Sequence, residues 1–406
     1  MQFGFRANHS TETANCFFVE NIKLKLDKGG IVGAIFLDLK KAFDTVNHEI
    51  LIHKMSYFNF STSVIEWMRS YLSKRVQYVR VNGETSPPLR NELGVPQGSV
   101  PGPILFSIYI NDLPLVCTGC EVQMYADDTV IYVHAKTKAQ ASAKLSDTMV
   151  HVQKWLTGSQ LDLNVKKTVC MFFSKSNTVS HCESNVCLSG EVIQTVTNFK
   201  YLGIILDSTL SFKPQVRKVV QITKYNLANL RYIRNCLTTP VAQLYMNTMI
   251  IPHLTYCIIS WTQVCSTTLR PILSLYKQVL KVLDKKPKLY HHCNILNKYN
   301  LLSWENILKY SDACLIFKII NGKAPPPLCT FVQQKSSSSR TTRSAFRGDC
   351  VVPLRSSSFG QICFSVRASK LWNQLPVDIR NSTSYHTFTH HLKVWLLSIQ
   401  KCEHLS

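Results

Sequence analysis

Acidic residues are scarce in this chain of 406 residues, which has 24 Asp and Glu against 46 Lys and Arg and a formal net charge of +22. Such a surplus indicates a polyanionic partner, because Lys and Arg displace the counterions that condense around phosphates. Hydrophobic residues make up 45% of the chain, so a large core can form, and disordered, collagen-like and coiled-coil proteins are excluded. A basic chromatin or ribosomal protein would share this composition, so the motifs must decide.

The sequence lacks a hydrophobic run long enough to span a membrane. The most apolar window, residues 241–261, includes Gln243, Asn247, Pro252 and His253, whereas a spanning helix needs about 20 mainly apolar residues. We therefore expect buried helices here and no membrane partner. No signal peptide is recognisable, and the 15 cysteines are scattered. We expect reduced thiols and an intracellular protein, cytoplasmic or nuclear, that is not secreted.

Several common catalytic and metal-binding patterns are also missing. The chain has no Gly-x-x-x-x-Gly-Lys phosphate loop and no recognisable nucleophile, base and orienter set of a hydrolase. Cys117 and Cys120 have the spacing of zinc ligands, and His291, His292 and Cys293 cluster later. A structural zinc needs four ligands, and no second Cys-x-x-Cys pair follows. The sequence therefore disfavours a zinc site.

Strand and helix patterns alternate up to about residue 206, and mostly helical patterns follow. Residues 31–37 are an almost purely apolar run that predicts a buried strand ending at Asp38, with a helix from Lys40 onward. Residues 122–125 and 129–133 predict a hairpin with Asp127 and Asp128 at its turn. Residues 198–206 predict one further strand. The layout predicts an α+β domain that carries acids, joined to a helical domain that carries positive charge.

Three carboxylates converge if the strand before Asp38 and the hairpin of Asp127 and Asp128 are neighbours. Such a cluster repels itself and is most easily maintained when hard divalent cations neutralise it. Two Mg²⁺ ions roughly 3.5 to 4 Å apart activate an attacking oxygen and stabilise a leaving one in phosphoryl transfer. The alternative is that each acid simply ends a strand or occupies a turn, where Asp is common.

The residues around these acids match a known family. Residues 36–44 read FLDLKKAFD, residues 94–99 read GVPQGS and residues 125–128 read YADD, in the order and spacing of reverse transcriptase motifs A, B and C. LNVKKT at 163–168, FKYLG at 199–203 and QFGFR at 2–6 resemble motif D, motif E and a finger motif. The chain thus resembles the reverse transcriptase of non-LTR (LINE-like) retrotransposons, with a weaker resemblance at 364–376. A chromatin protein would not need these motifs.

The resemblance implies a right-hand polymerase. Its palm with partial fingers would span 1–206, an α-helical thumb 207–290, a helical connection 291–334, and a basic, Ser-rich linker with a small C-terminal unit 335–406. The implied activity is RNA-directed DNA polymerisation, with an RNA template, a DNA primer, dNTPs and two Mg²⁺ ions. Because Met1 falls just before the finger motif, a 5′-truncated copy is expected. The alternative function is a catalytically inactive, basic RNA- or DNA-binding remnant.

The resemblance also implies roles for single residues at the catalytic centre. Asp38, Asp127 and Asp128 would hold the metal ions, with Asp128 alternatively a solvated turn acid. Lys167 would give a proton to the departing pyrophosphate, or would be an ordinary surface lysine. Arg6 would contact the triphosphate of the incoming nucleotide.

Further implied residues surround the incoming nucleotide and the primer. Leu39 would offer its backbone carbonyl to a metal ion. Phe43 would be a steric gate against a ribose 2′-OH, or a core residue. Gln97 and Gly98 would lie against the nucleotide, or would form a plain turn. The primer grip would consist of Tyr201, Leu202 and Gly203, which would look the same as core strand residues.

A basic stripe on the expected thumb follows from the residues themselves. Arg217, Lys224 and Arg231 recur every seven residues, so they share one face of a helix beside an apolar stripe. The functional interpretation is a helix face that binds the phosphates of a nucleic-acid backbone, and the alternative is a solvated amphipathic helix. The net charge of the chain favours the first.

Overall fold

The structure, a computed structural model, describes residues 1–175, 186–188, 190–335 and 348–400. Most of the Ser-rich linker expected from the sequence, residues 336–347, lies outside the described residues. The strands are β1 (Ile31–Leu37), β2 (Val76–Gln77), β3 (Arg80–Val81), β4 (Glu84–Thr85), β5 (Leu89–Arg90), β6 (Glu121–Tyr125), β7 (Asp128–Ala135), β8 (Val169–Phe173), β9 (Cys187–Leu188), β10 (Glu191–Val192), β11 (Gln194–Thr195), β12 (Asn198–Tyr201) and β13 (Ile204–Asp207).

Helices precede, connect and follow these strands, with a 3₁₀ turn at Arg234–Cys236 and a π-helical turn at Met246–Ile250. The α-helices are α1 (Thr11–Asp27), α2 (His48–Tyr57), α3 (Thr62–Leu72), α4 (Gly102–Tyr109), α5 (Leu113–Val116), α6 (Lys138–Gly158), α7 (Lys213–Ile233), α8 (Thr239–Tyr245), α9 (Ile251–Thr255), α10 (Ile258–Trp261), α11 (Ser266–Leu283), α12 (His292–Lys298), α13 (Trp304–Ile320), α14 (Pro326–Cys329), α15 (Ser358–Gln361), α16 (Phe364–Gln374), α17 (Val377–Arg380) and α18 (Tyr385–Ser398). Within the described ranges, none of the helices has the length and hydropathy that a membrane span requires.

The chain forms two compact units. The first contains Met1–His9 and Gly29–Thr197, and the second contains Ser10–Lys28 and the chain from Asn198 onward. Helix α1 therefore belongs to the mainly helical second unit, although its sequence precedes the strands of the first. The mixed α and β architecture expected from the sequence is confirmed, and the four-part division of the chain stays a prediction.

A five-stranded sheet with the strand order β11-β8-β1-β7-β6 is the framework of the first unit. Strand β1 lies at its centre, antiparallel to both β7 and β8, and all seven of its residues are buried. A strand covered on both faces needs apolar side chains on both, which explains the almost purely apolar run. Ile35 of β1, Phe106 of α4 and Ile131 of β7 belong to one hydrophobic core.

The first residues of the chain extend this sheet at the edge of β6. Gln2 forms a parallel bridge with Met124. The Met124 N–H donates to the carbonyl of Met1 at 2.8 Å, and the Phe3 N–H donates to the carbonyl of Met124 at 2.7 Å. The Phe3 side chain is buried, so this short segment is anchored by its side chain and its backbone.

Two local expectations are wrong. The helix expected from Lys40 begins only at His48, because residues 40–44 form turns and the Lys40 N–H donates to the carbonyl of Asp162 at 2.8 Å. The single strand expected at 198–206 is instead the hairpin of β12 and β13. Leu202 and Gly203 form its turn, and both have positive φ angles, +42° and +87°.

Helix α1 contributes to the core of the second unit and packs against α10, α15 and α16. Its apolar residues Phe18 and Ile22 are fully buried, and so are Glu20 and Lys23. The Glu20 carboxylate accepts hydrogen bonds from the backbone N–H groups of Phe364 at 2.9 Å and Ser365 at 3.2 Å. These N–H groups begin α16, where a carboxylate satisfies free donors and complements the helix dipole.

Candidate active site

The three aspartates singled out by the sequence lie at one end of the five-stranded sheet. Strand β1 ends at Leu37, which is paired with Thr129 of β7. Asp38 follows Leu37 and Asp128 precedes Thr129, so the antiparallel register continued by one residue places Asp38 opposite Asp128. Asp127 lies in the tight turn between β6 and β7. The expectation that the two acidic segments are neighbours is confirmed.

Burial and neighbouring charges raise the pKa values of Asp127 and Asp128. Burial raises the pKa of Asp127 above its usual value, and the charge of Asp38 adds to the increase, while the backbone N–H groups of Asp127 and Asp128 oppose it. Burial first, and then the charges of Asp127 and Asp38, raise the pKa of Asp128 to about 6. A divalent cation relieves such repulsion, so the cluster favours cation binding.

The donor chemistry of the aspartates fits a hard divalent cation. Carboxylate oxygens are ligands that Mg²⁺ prefers. Leu39, the expected backbone ligand, is half-buried and forms a bridge with Leu163. The donor atoms of the three aspartates do not all lie within 4.8 Å of one another. Among the described residues, the set of three that meets this distance is His291, His292 and Cys293.

The cysteines with zinc-like spacing have surroundings that oppose metal binding. Burial raises the pKa of the Cys117 thiol to about 12, and this thiol donates to the carbonyl of Leu113 at 3.5 Å. Burial also raises the pKa of Cys120, whose sulfur lies 3.2 Å from the hydroxyl of Thr148. A cysteine ligand must lose its proton, so these thiols are poor ligands.

The segment that resembles motif D is attached to Asp38 through its backbone. The Asn164 N–H donates to the carbonyl of Asp38 at 2.7 Å, and the Asp38 N–H donates to the hydroxyl of Thr168 at 3.2 Å. Lys167 lies in the turn between these two residues, with an exposed side chain. The structure thus brings Lys167 close in the fold to Asp38, and its proton-donor role stays a prediction.

The segment that resembles motif B packs on the turn after Asp38. The Gly94 N–H donates to the carbonyl of Val46 at 2.8 Å, and the Val95 N–H donates to that of Phe43 at 2.8 Å. Gly94 has a φ of +85° and approaches the Asp44 backbone so closely that a Cβ would lie 2.8 Å from the Asp44 carbonyl oxygen. The segments that resemble motifs A and B therefore pack together as one continuous surface.

Gln97 and Gly98 lie at the exposed end of this surface. The Gln97 side-chain amide donates to the Asp44 carboxylate at 2.8 Å. Gly98 has a φ of +80°, and a Cβ at this position would meet nothing within 4 Å. The space next to Gly98 is thus open, which leaves room for a ligand.

Phe43, the expected steric gate, is half-buried between two aromatic rings. It stacks on Phe106 with ring centroids 4.3 Å apart, and Phe5 meets it edge-on with centroids 6.4 Å apart. Packing on α4 fixes the ring, and a fixed ring is what a gate requires. The same contacts also make Phe43 a packing residue, so its role in sugar selection stays a prediction.

Arg6 follows the buried part of the N-terminal segment and is exposed. Its guanidinium donates to the carbonyl of Gln2 at 3.4 Å, so the charged group is held beside the N-terminal segment while the side chain stays exposed to solvent. This arrangement is compatible with an anion-binding role, which stays a prediction.

The expected primer grip is the β12–β13 turn, in the second unit. The Tyr256 hydroxyl donates to the carbonyl of Leu202 at 3.0 Å, and the Asn15 amide donates to the same carbonyl at 3.3 Å. Lys218 of α7 donates to the carbonyl of Gly203 at 3.2 Å. The turn is therefore held rigidly from three sides.

The basic stripe lies on α7 as expected. Arg217, Lys224 and Arg231 are all exposed, whereas Val216, Leu227 and Leu230 on the same helix are buried. Arg231 also donates to the side-chain oxygen of Gln278 at 3.2 Å. Sequence reasoning missed two exposed aromatic neighbours of this stripe, Tyr225 and Tyr232, with relative exposures of 69% and 89%.

Other structural supports of the site were also missed by sequence reasoning. Gln2 and Gly4 contact the turn that carries Asp127, whereas the sequence drew attention only to Arg6 in that segment. Asp44, at the end of the motif A match, holds Gln97. Asn15 and Tyr256 lie far from the grip turn in sequence. No periodicity in the sequence signals such contacts between distant segments.

Comparisons with known proteins place the sequence in a family. The family described as "Reverse transcriptase (RNA-dependent DNA polymerase)" matches residues 1–206. "Probable RNA-directed DNA polymerase from transposon BS" of Drosophila melanogaster is 31% identical over 243 residues, which cover 58% of this chain and 26% of that protein. "RNA-directed DNA polymerase from mobile element jockey" of the same species is 32% identical over 241 residues, covering 57% of this chain and 26% of that protein.

The chain thus spans about a quarter of the length of these two relatives. Among solved structures, a telomerase from Candida Tropicalis in complex with an RNA fragment has a TM-score of 0.37 and 13% identity, and the match covers 95% of this chain and 52% of that one. The relatives are polymerases of non-LTR mobile elements, as the sequence motifs indicated. Because the family matches half of the sequence, including motifs A, B and C, the chain belongs to the reverse transcriptase (RNA-dependent DNA polymerase) family.

Proposed function

We propose that this chain is the polymerase part of a retrotransposon enzyme that adds dNTPs to a DNA primer on an RNA template. The pairing of β1 with β7 carries the proposal, because it joins two acidic segments almost ninety residues apart. In this proposal the first unit contains the palm and finger residues, and the helices from α7 onward include the thumb. The enzyme would act on nucleic acid inside the cell, in the cytoplasm, the nucleus or both.

The proposed reaction is attack of the primer 3′-OH on the α-phosphate of the incoming dNTP. Asp38, Asp127 and Asp128 would hold two Mg²⁺ ions, and the chemistry supplied there would be activation of the primer hydroxyl and charge stabilisation of the leaving pyrophosphate. Gln97, held by Asp44, would contact the incoming nucleotide beside the open face of Gly98.

Other groups of the chain would orient the reactants. The exposed Lys167 would give a proton to pyrophosphate, and Arg6 would contact the triphosphate. The Phe43 ring, fixed by its stack on Phe106, would collide with a ribose 2′-OH and so select deoxynucleotides. The rigid turn of Leu202 and Gly203 would support the primer end.

The proposed nucleic-acid grip includes the exposed stripe of α7. Arg217, Lys224 and Arg231 would contact phosphates, which carry the sequence-independent part of binding. The adjacent Tyr225 and Tyr232 would add contacts with sugars or unpaired bases. Long-range attraction from a net charge of +22 supports this partner class.

Two sets of variants separate catalysis from binding. Asp127→Asn keeps the side-chain shape and removes a negative ligand, so primer extension should collapse while nucleic-acid affinity is unchanged or slightly higher. Replacing Arg217, Lys224 and Arg231 with Gln should weaken nucleic-acid binding whatever the base sequence. The slope of the logarithm of the binding constant against the logarithm of the salt concentration should also fall, by roughly one unit for each phosphate that is no longer neutralised. The assay is homopolymer primer extension, together with binding at several salt concentrations.

Matched controls change charge at exposed positions elsewhere. Asp147→Asn on α6 removes one negative charge and should leave extension unchanged. Replacement of Lys136, Lys144 and Lys154 with Gln removes the same charge as the α7 triple variant and should change the salt slope less. Extension that survives Asp127→Asn would contradict the assigned centre. The unmutated chain and a longer chain with further N-terminal residues should both be assayed. If both bind nucleic acid tightly and neither extends a primer, an inactive nucleic-acid-binding remnant is favoured.

A further inference from the structure

The Gln2 side chain makes two hydrogen bonds to the turn that carries Asp127 and a third to Gly4 of its own segment. Its carbonyl oxygen accepts from the Ala126 N–H at 3.0 Å and from the Gly4 N–H at 2.8 Å. Its amide nitrogen donates to the Ala126 carbonyl at 3.5 Å. Both backbone groups of Ala126 are therefore bound by one side chain, and Ala126 is the residue immediately before Asp127.

Ala126 needs such support because its backbone is left-handed, with a φ of +55°. An alanine in this region is less stable than in a right-handed conformation, because its Cβ lies too close to the following carbonyl oxygen. Ala126 is also buried, with 6% exposure, so its N–H and carbonyl would lack hydrogen-bond partners if Gln2 were apolar. The Gln2 amide thus offsets the strain and the loss of solvation together.

The backbone next to Gln2 restrains the same turn by direct contact. An added Cβ at Gly4 would lie 2.4 Å from the Ala126 nitrogen and 3.1 Å from its Cα, so the chain passes against the turn at the closest approach that a glycine permits. The bridge between Gln2 and Met124 fixes this segment along β6. The N-terminal segment therefore has one position relative to the turn.

We propose that Gln2 is a positioning residue for the metal-binding aspartates. By holding Ala126 in its left-handed conformation, Gln2 sets the direction in which the backbone leaves β6 and so the place of the Asp127 carboxylate within reach of the charge of Asp38. In this role Gln2 acts through the backbone of Ala126 and not by direct contact with a nucleotide or a metal ion. This role rests on the proposed function of the aspartates as a Mg²⁺ site.

The test uses the full chain and two readouts, hydrogen exchange of the 122–130 segment and Mn²⁺ affinity measured by electron paramagnetic resonance. Gln2→Met keeps the length of the side chain and removes all three hydrogen bonds. We expect faster exchange at Ala126 and a loss of Mn²⁺ affinity of about tenfold or more, the usual effect of removing a group that orients a metal ligand.

A second substitution separates positioning from general packing. Ala126→Gly removes the strain of the left-handed conformation, so in the Gln2→Met background it should restore part of the Mn²⁺ affinity. The matched control is Gln215→Met, because buried Gln215 also accepts a backbone hydrogen bond, from Ile205 at 2.9 Å. This control should leave Mn²⁺ affinity unchanged.

The outcomes are distinguishable. Unchanged exchange at Ala126 in Gln2→Met would overturn the contact, and faster exchange with unchanged Mn²⁺ affinity would overturn the positioning role. Absence of rescue by Ala126→Gly would also count against it. If Asp127→Asn binds Mn²⁺ as the unmutated chain does, the proposed metal site itself fails and this inference fails with it.

Discussion

Gly94 offers the sharpest test of how motif B is joined to motif A. We expect Gly94→Ala to detach the two segments, because a Cβ at this position would lie 2.8 Å from the Asp44 carbonyl oxygen and 2.9 Å from its Cα. Backbone atoms cannot rotate away as a flexible side chain can, so the loop must move. The hydrogen bonds that the Gly94 and Val95 N–H groups donate to Val46 and Phe43 would then break.

The magnitude follows from two contributions. The left-handed backbone at Gly94 costs an alanine roughly 1 to 2 kcal/mol, and loss of two backbone hydrogen bonds costs about 1 kcal/mol each. The local free energy of opening should therefore fall by about 3 to 4 kcal/mol. Gly98 is a matched control, because its φ of +80° is similar while its surroundings are open. Gly98→Ala should lose only about 1 to 2 kcal/mol.

Hydrogen exchange of the 93–97 segment measures these differences directly. Exchange at Val95 should accelerate strongly in Gly94→Ala and remain slow in Gly98→Ala. Primer extension should separate the variants in another way, since Gly98→Ala should raise the KM for dNTPs in a fold that is otherwise intact. Equal protection of Val95 in the two variants would refute the proposed junction, because backbone strain alone would then explain both.

Three further predictions concern single side chains. Phe43→Ala should reduce the preference for dNTPs over rNTPs; an unchanged preference would leave Phe43 as a packing residue only. Lys23 has its pKa lowered from 10.5 to about 8 by burial, so its charged form destabilises the fold below pH 8 and the free energy of unfolding should rise between about pH 8 and 10.5. Lys23→Met should flatten that rise in urea titrations at each pH, and an unchanged pH profile would contradict this assignment. Glu20→Ala should lower the free energy of unfolding by about 3 kcal/mol, and with it the melting temperature, because the Phe364 and Ser365 N–H groups lose their acceptor. An unchanged melting temperature in Glu20→Ala would show that water replaces the carboxylate.

Local features of the site were accessible from the sequence because they depend on neighbouring residues. The apolar run 31–37 predicted a buried strand ending at Asp38, and the short β-prone runs on either side of Asp127 and Asp128 predicted a hairpin with both acids near its turn. The seven-residue spacing of basic residues predicted one exposed face of α7. Each pattern reflects the periodicity of a single helix or strand, which is encoded within a short window.

Contacts between segments distant in sequence decided the other features of the fold and of the site. The pairing of β1 with β7, the grouping of α1 with the helices of the second unit and the split of 198–206 into two strands all depend on which distant backbone groups and apolar faces satisfy one another. The contact of Gln2 with Ala126 is of the same kind. A glutamine two residues into the chain and an alanine of positive φ become informative only when the sheet brings them together, because hydrogen-bond satisfaction is a property of the folded interior.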